Sequence, residues 1–239
     1  MDIMIIIIAG LIGYLIGSLS FSRIISRIVA PNKALENLKF EIKGKNFQET
    51  VPILTGYGAE RASMVLGARW GLMIGILDML KVIVPMVVFK AFLYPQENYH
   101  LVIAITGLIG HNWPIYYRFK GGRGLSVILG SYFVIDWLGA ILTPVFGFAL
   151  GLFLIGDVMI AYPMGYWLMI PWFLFRTNDL AFFIYAILSN IIFLIATIPE
   201  IREDLQMRRE GKYKEYREAL LKTSARARGM KKWKIKSWD

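Results

Sequence analysis

Long apolar segments that are almost free of charge constrain the fold of this chain more than any other feature. They lie at about residues 3–19, 70–93, 101–116, 125–135, 137–155, 158–175 and 180–198. A helix needs about 20 apolar residues to cross the roughly 30 Å of hydrocarbon in a bilayer. Most of the segments reach or approach this length. We therefore predict an all-α fold, a polytopic integral membrane helix bundle with about seven transmembrane helices.

The composition supports a membrane protein. Apolar types make up 56% of the 239 residues and charged types 18%, with a mean hydropathy of +0.53. An ordinary soluble domain has about 25% charged residues. The soluble, fibrous and disordered classes are therefore excluded. The segment 125–135 is the shortest, and it fits a half-helix or a re-entrant piece as well as a full crossing.

Basic residues cluster in three places that indicate the orientation of the chain. Residues 23–69 contain eight of the 27 Lys and Arg residues, residues 118–123 contain three, and residues 202–236 contain thirteen. With seven spans and the N-terminus outside, all three clusters and the C-terminus are cytoplasmic, as the positive-inside rule requires. Nucleic-acid binding is the alternative reading of a pI near 9.7. The orientation rule explains the same excess without such a partner, so we expect no nucleic acid.

Two parts follow from this arrangement. Residues 1–198 form the predicted transmembrane domain, with a cytoplasmic loop at about 23–69 and a Gly-rich loop at 118–124. Residues 199–239 form a basic, amphipathic cytoplasmic tail. Pro199 suits the start of a helix in this tail. We expect an interfacial helix there, and a solvated or partly disordered tail is the alternative.

The Gly-rich loop is the sharpest local feature. It contains Lys120, Gly121, Gly122, Arg123 and Gly124. Glycines allow positive φ and close approach of the backbone to a ligand, and successive N–H groups in such a bend form an anion nest. The N-terminus of the helix that follows also favours negative charge. These features predict a phosphate site at the cytoplasmic surface. A basic turn that only obeys the orientation rule is the alternative.

Asp78 and Lys81 are charged residues inside the second apolar segment. Their spacing of three places them on one face of a helix. Burying either of them alone in hydrocarbon costs about 2.5–3.5 kcal/mol on insertion scales. We therefore predict that they pair with each other or face a polar cavity. An ion pair that only locks the bundle is the alternative to a role at a binding site.

Ser18 and His111 are the remaining candidates from the residues themselves. Ser18 lies at the inner end of the first span, where its hydroxyl would contact a ligand or bond back to its own helix. His111 is either a site residue or an interfacial histidine with a satisfied hydrogen bond. The chain has no Cys, and His100 is its only other histidine. Disulfides, thiol catalysis and a multi-histidine metal site are therefore not expected, and we predict no metal and no cofactor.

Three segments, taken in chain order, carry a resemblance to a known family. They are Gly17-Ser18-Leu19-Ser20, then Leu77-Asp78-Met79-Leu80-Lys81, and finally Gly110-His111, Pro114 and Phe119-Lys120-Gly121-Gly122-Arg123-Gly124. They resemble the motifs of the bacterial acyl-phosphate-dependent glycerol-3-phosphate acyltransferases, small multi-span enzymes that start phospholipid synthesis. The similarity extends over about residues 10–211. Ser20 replaces a proline of the family, and Arg123 replaces a lysine.

Other positions depart from the family pattern. Glu41-Ile42-Lys43 stands where the family has Asp-x-Arg, and Gly56-Tyr57-Gly58-Ala59 stands where it has Gly-Ser-Gly-Asn. Near the end, Ile201-Arg202-Glu203-Asp204 lacks the histidine and the asparagine of the family's last motif.

The resemblance implies transfer of a fatty acyl group from acyl phosphate to glycerol 3-phosphate, at the cytoplasmic face of the cell membrane. Its partners would be these two substrates and membrane lipids. It implies Ser18, Lys43 and His111 as catalytic residues. The substrate-binding residues would be Asp78, Lys81, Lys120, Gly121, Gly122, Arg123 and Gly124. The alternative is a membrane paralogue that is non-catalytic or has altered chemistry, and that binds lipid phosphates or carries small anions. The oligomeric state stays open.

Overall fold

The computed structural model describes residues 2–32, 35, 39–43, 48–52, 56–154, 158–177 and 179–223. Within these residues the chain forms ten α-helices and one pair of β-strands. In order they are α1 (Ile3–Gly17), α2 (Phe21–Val29), β1 (Lys39–Lys43), β2 (Gln48–Pro52), α3 (Ala59–Leu66), α4 (Ala68–Val87), α5 (Tyr99–Asn112), α6 (Leu125–Ile135), α7 (Trp137–Leu154), α8 (Val158–Arg176), α9 (Leu180–Arg209) and α10 (Tyr213–Thr223). A π-helical turn at Val88–Leu93 extends α4, and a 3₁₀ turn at Ile115–Tyr117 follows α5.

The predicted helical membrane fold is confirmed. Four helical stretches of the described chain are long and apolar enough to cross a bilayer: Ile3–Val29, Ala68–Leu93, Trp137–Leu154 and Leu180–Arg209. The helices α5, α6 and α8 fall on the three other predicted segments, and α5 and α6 have only 14 and 11 residues. The protein is thus a multi-pass membrane protein.

The loop predicted at residues 23–69 carries regular structure of its own. Strands β1 and β2 pair antiparallel, with Lys39 opposite Pro52 and Lys43 opposite Gln48. Among the described residues this hairpin is the one departure from a purely helical chain. The short alternation of polar and apolar side chains from Lys39 to Lys43 is a strand signal, but it spans only five residues.

Small residues bring α1 and α5 into close contact. A Cβ atom on Gly17 would lie 2.2 Å from the carbonyl oxygen of Gly107, and one on Gly13 would lie 2.6 Å from that of Ile103. Such glycine contacts are typical of membrane helices, which lack a hydrophobic drive to associate. The Tyr14 hydroxyl adds a hydrogen bond of 3.0 Å to the carbonyl of Trp113. The end of α1 is thereby fixed beside the end of α5.

Helix α9 runs without a break through Pro199, which the sequence analysis places at a helix start. Beyond Pro199, Met207 of α9 packs with Ile42 of β1 and Tyr216 of α10 in a small apolar cluster. Residues 224–239 of the predicted tail lie outside the described residues. We call α2, β1, β2, α3, residues 113–124 and α10 the loop end of the bundle.

Candidate active site

Asp78, Lys81 and His111 form a buried cluster between α4 and α5. The Lys81 ammonium lies 2.9 Å from Asp78 Oδ1, so the predicted pair is confirmed. The same ammonium lies 2.9 Å from His111 Nδ1 and donates to the carbonyl of Leu19 at 2.7 Å. Leu19 follows the end of α1, where carbonyls lack an intrahelical partner. Lys81 is therefore held by three acceptors instead of reaching out to water.

The cluster also determines the state of the His111 ring. An ammonium has only hydrogen-bond donors, so His111 Nδ1 must accept from Lys81. The ring proton of the neutral imidazole is therefore on Nε2. That atom faces the Gly-rich loop, because a Cβ atom on Gly122 would lie 2.2 Å from it.

The Gly-rich loop lies against the end of α5. Gly122 N–H donates to the carbonyl of His111 at 3.0 Å, and a Cβ atom on Gly121 would lie 2.1 Å from the same oxygen. The predicted positive φ is found at Gly124 (φ 85°), one residue before α6 begins, while Arg118 and Phe119 also adopt positive φ. Gly121 and Gly122 are therefore required by close approach to His111.

Arg23 of α2 connects this helix to the Gly-rich loop through a hydrogen bond. Its Nη2 donates to the carbonyl of Lys120 at 2.6 Å, and its guanidinium stacks 4.0 Å from the ring centre of Tyr57 and 4.7 Å from that of Tyr117. Tyr57 N–H in turn donates to the carbonyl of Gly121 at 2.9 Å. Arg23 is not among the site residues predicted from the sequence. Its signal is weak, because one arginine after a membrane span usually only marks orientation.

Arg123 is enclosed by two acidic residues, Glu200 and Glu60, which are also not among the predicted site residues. Its Nη2 contacts Oε1 of Glu200, and its Nη1 lies 3.8 Å from Oε2 of Glu60. The same Oε1 of Glu200 accepts the N–H of Gly56 at 3.2 Å. Glu60 comes from α3 and Glu200 from α9. A guanidinium from the Gly-rich loop therefore joins three segments that are far apart in the chain.

The remaining predicted site residues outside these contacts are Ser18, Lys43 and Lys120. Ser18 is fully buried, and its hydroxyl donates to the carbonyl of Tyr14 at 2.7 Å, which is the back-bond alternative. Lys43 ends β1 opposite Gln48, and its side chain lies outside the described part of the structure. Lys120 is exposed.

Asn112 is a buried polar residue beside the site. Its side chain is 3% exposed, and neither of its amide atoms has a hydrogen-bond partner among the described residues. A Cβ atom on Gly124 would lie 2.9 Å from Asn112 Oδ1, so the amide lies directly behind the Gly-rich loop. The residue follows His111 in the sequence, and this adjacency was its only signal.

Tyr216 of α10 lies near enough to Arg123 to be influenced by its charge. Burial is the main cause that raises the pKa of Tyr216, while Arg123 acts in the opposite direction. The phenol therefore stays protonated at neutral pH.

Comparisons with known proteins relate the chain to one family. The profile of the family described as "Glycerol-3-phosphate acyltransferase" matches residues 55–206. The enzyme of that name from Mycoplasma capricolum subsp. capricolum is 35% identical over 139 residues, which is 56% of this chain and 48% of that protein. Its namesake from Aquifex aeolicus is 28% identical over 143 residues, 54% of this chain and 64% of that protein. The chain thus spans about half the length of the first of these curated relatives.

Two solved structures have a similar fold. Both are crystal structures of PlsY, an integral membrane glycerol 3-phosphate acyltransferase. The glycerol 3-phosphate form aligns with a TM-score of 0.66 at 21% identity, and the lysophosphatidic acid form with 0.64 at 18%. Each alignment covers 87% of this chain and 93% of the solved one. Since the family profile matches more than half of the sequence, this chain belongs to the glycerol-3-phosphate acyltransferase family.

Proposed function

We propose that this chain transfers a fatty acyl group from acyl phosphate to glycerol 3-phosphate, as a step of phospholipid biosynthesis. The observation that carries the proposal is the seating of the Gly-rich loop, with Arg123 at its end, directly against His111 and the buried charges behind it. The names of the relatives and of the solved structures support glycerol 3-phosphate as the acceptor.

The reaction suits a site built from glycines and cations. An acyl phosphate is a mixed anhydride and is already activated, so the protein needs no covalent nucleophile. The glycerol hydroxyl oxygen attacks the acyl carbonyl, the bond from the carbonyl carbon to the phosphate oxygen breaks, and the hydroxyl proton goes to a phosphate oxygen. The products are lysophosphatidate and inorganic phosphate. The protein contributes by holding two anionic groups together and by neutralising them.

The proposed roles follow the placement of the residues. The Gly-rich loop from Lys120 to Gly124 binds a phosphate group, and Asp78 and Lys81 support it through His111. His111 directs its Nε2 proton at the loop. Ser18 packs against α5 next to His111, since a Cβ atom on the neighbouring Gly110 would be 3.1 Å from the Ser18 hydroxyl oxygen. Lys43 remains a proposed site residue on the ground of the resemblance.

Acyl transfer is the first expected result. The purified chain should convert acyl phosphate and glycerol 3-phosphate to lysophosphatidate, and acyl-CoA serves as the competing donor. Arg123→Gln should lower kcat/KM roughly ten- to a hundredfold, because it removes a charge-assisted contact of about 1.5–3 kcal/mol. Arg118→Gln is the matched control, since this exposed arginine lies in the same loop. Equal activity of the two variants would contradict the role of Arg123, and absence of lysophosphatidate would contradict the proposed function.

We also propose seven membrane segments, with the N-terminus outside and the loop end cytoplasmic. The chain contains no cysteine, so single cysteines report their own side of the membrane. In intact cells, Lys120→Cys and Lys43→Cys should resist an impermeant thiol reagent. Gln96→Cys, between α4 and α5 on the proposed outer side, should react. Labelling of the Lys120 position from outside would overturn the orientation and the cytoplasmic site with it.

A further inference from the structure

We infer that Glu200 is a specificity-determining residue whose carboxylate occupies the phosphate position at Arg123, so that a phosphate ligand binds only by displacing it. The inference rests on the proposed phosphate-binding role of Arg123. The carboxylate of Glu200 would compete with ligands for Arg123 and would thereby select the ligands that the site accepts.

The donors around Glu200 are those that a phosphate oxygen would use. Its Oε1 accepts the backbone N–H of Gly56 at 3.2 Å and contacts the guanidinium of Arg123. Gly56 itself packs on the Gly-rich loop, because a Cβ atom there would lie 3.2 Å from the Cα of Gly122. Backbone N–H groups in glycine-containing turns, combined with a guanidinium, form a typical anion site. In this structure the anion in that site is a side chain.

The charges around Arg123 leave no place for a second anion while Glu200 stays. Glu60 of α3 already lies 3.8 Å from the Arg123 guanidinium. The side chains of Arg123, Glu200 and Glu60 are only 14%, 17% and 19% exposed, so solvent screens their charges incompletely. A phosphate on Arg123 would therefore face two nearby carboxylates of like charge. Displacement of the closer carboxylate removes the larger repulsion.

The position of Glu200 in α9 provides a way for it to move. Glu200 directly follows Pro199, which lies inside the helix. Proline has no N–H, so α9 lacks one intrahelical hydrogen bond at this point, and such positions are where helices bend. Beyond it, α9 packs through Met207 on Ile42 and Tyr216. Bending at Pro199 would move Glu200 together with that packed unit.

Displacement of a carboxylate makes the site selective. A phosphomonoester dianion carries more charge and more acceptor oxygens than the side chain that it replaces, so it gains contacts at Arg123 and Gly56. A ligand that offers only a carboxylate exchanges one carboxylate for another and gains nothing. Glu200 should therefore discriminate in favour of phosphate groups and against carboxylates of similar size.

Direct binding to the purified full chain tests this inference. The affinities for glycerol 3-phosphate and for glycerate are measured by calorimetry at fixed ionic strength for wild type and Glu200→Gln. The glutamine keeps the size and an acceptor oxygen for Gly56 but removes the charge. Glycerol 3-phosphate should bind about tenfold more tightly to the variant. Glycerate should bind weakly to wild type and gain measurable affinity in the variant. A variant with merely lost structure would not bind more tightly.

Asp204→Asn is the matched control. It changes the net charge by the same amount on the same helix, but Asp204 pairs with Arg208 on the exposed surface, at 3.2 Å. It should alter both affinities less than twofold. A gain in Glu200→Gln no larger than in Asp204→Asn, or weaker binding, would overturn the inference.

Glu200→Asp tests the inference independently if Glu200→Gln fails to fold. Glu200→Asp keeps the charge but withdraws the carboxylate from Arg123 by one methylene, and it should give a smaller gain for glycerol 3-phosphate. Affinity equal to or below that of wild type would overturn the inference. Acyl transfer is a separate readout. Tighter binding without any lysophosphatidate would sustain the inference and refute the proposed reaction, whereas lysophosphatidate formation without tighter binding would refute the inference alone.

Discussion

Asp78→Asn is expected to lower the free energy of unfolding by about 3–5 kcal/mol, the usual cost of breaking a buried ion pair. The carboxylate is 2.9 Å from the Lys81 ammonium, and both side chains are almost fully buried. Without it the ammonium stays in a low-dielectric setting with only neutral acceptors. Unfolding of the purified protein in mixed micelles measures the loss. Asp204→Asn, which breaks an exposed pair, should cost no more than about 1 kcal/mol. Equal stability of the two variants would contradict the pairing.

The double variant Asp78→Leu with Lys81→Leu separates a structural from a functional role of the pair. It removes both buried charges together, so it should recover most of the lost stability. Acyl transfer should nevertheless stay well below that of wild type, because His111 loses the donor that keeps its ring proton on Nε2. Recovery of activity together with folding would show that the pair serves only to hold the bundle.

Gly122→Ala should lower kcat/KM at least tenfold while leaving membrane insertion intact. The added Cβ atom would lie 2.2 Å from His111 Nε2, and the ring cannot retreat because Lys81 holds its other nitrogen at 2.9 Å. The loop must therefore shift away from α5. Steady-state kinetics with both substrates measures the effect.

Gly58→Ala is the control for the loop variant. Its Cβ atom would reach only 4.0 Å from the Cα of Gly122, and its φ of −118° suits any residue. It should keep kcat/KM within about twofold of wild type, since a surface change of this kind costs about 0.5 kcal/mol or less. Unchanged kinetics of Gly122→Ala would refute the assignment of the loop to phosphate binding.

Local features of the sequence were sufficient to predict the helical membrane fold. The apolar run that predicts a span at 125–135 ends at Asp136, and α6 ends there as well. Pro199 was misleading, because a proline that suits the first turn of a helix also occurs inside a helix when packing supports it. In α9 the part beyond Pro199 is supported by the contacts of Met207.

The candidate site was predictable where its residues are close in the chain. Asp78 and Lys81 are three residues apart, so helix periodicity alone predicts their contact. Their partners are Leu19, between α1 and α2, and His111 of α5, which are 62 and 30 residues from Lys81. The contacts of Arg123 with Glu60 and Glu200 could not be predicted for the same reason, because these residues are far apart in the chain. Glu200 has the sequence surroundings of an ordinary solvated helix, and only the packing of α9 against the loop end reveals its contact.

The glycine contact between α1 and α5 has a consequence for the biogenesis of the protein. Tyr14 and its partner Trp113 are 99 residues apart, so α1 leaves the ribosome well before α5 has been made. At about 5–20 residues per second, the first helix waits roughly 5–20 s in the membrane for its partner. During this interval the surface of α1 that contains Gly13 and Gly17 faces lipid or the insertion machinery. Docking of α5 then completes the surface on which the Gly-rich loop is laid down as the next segment of the nascent chain.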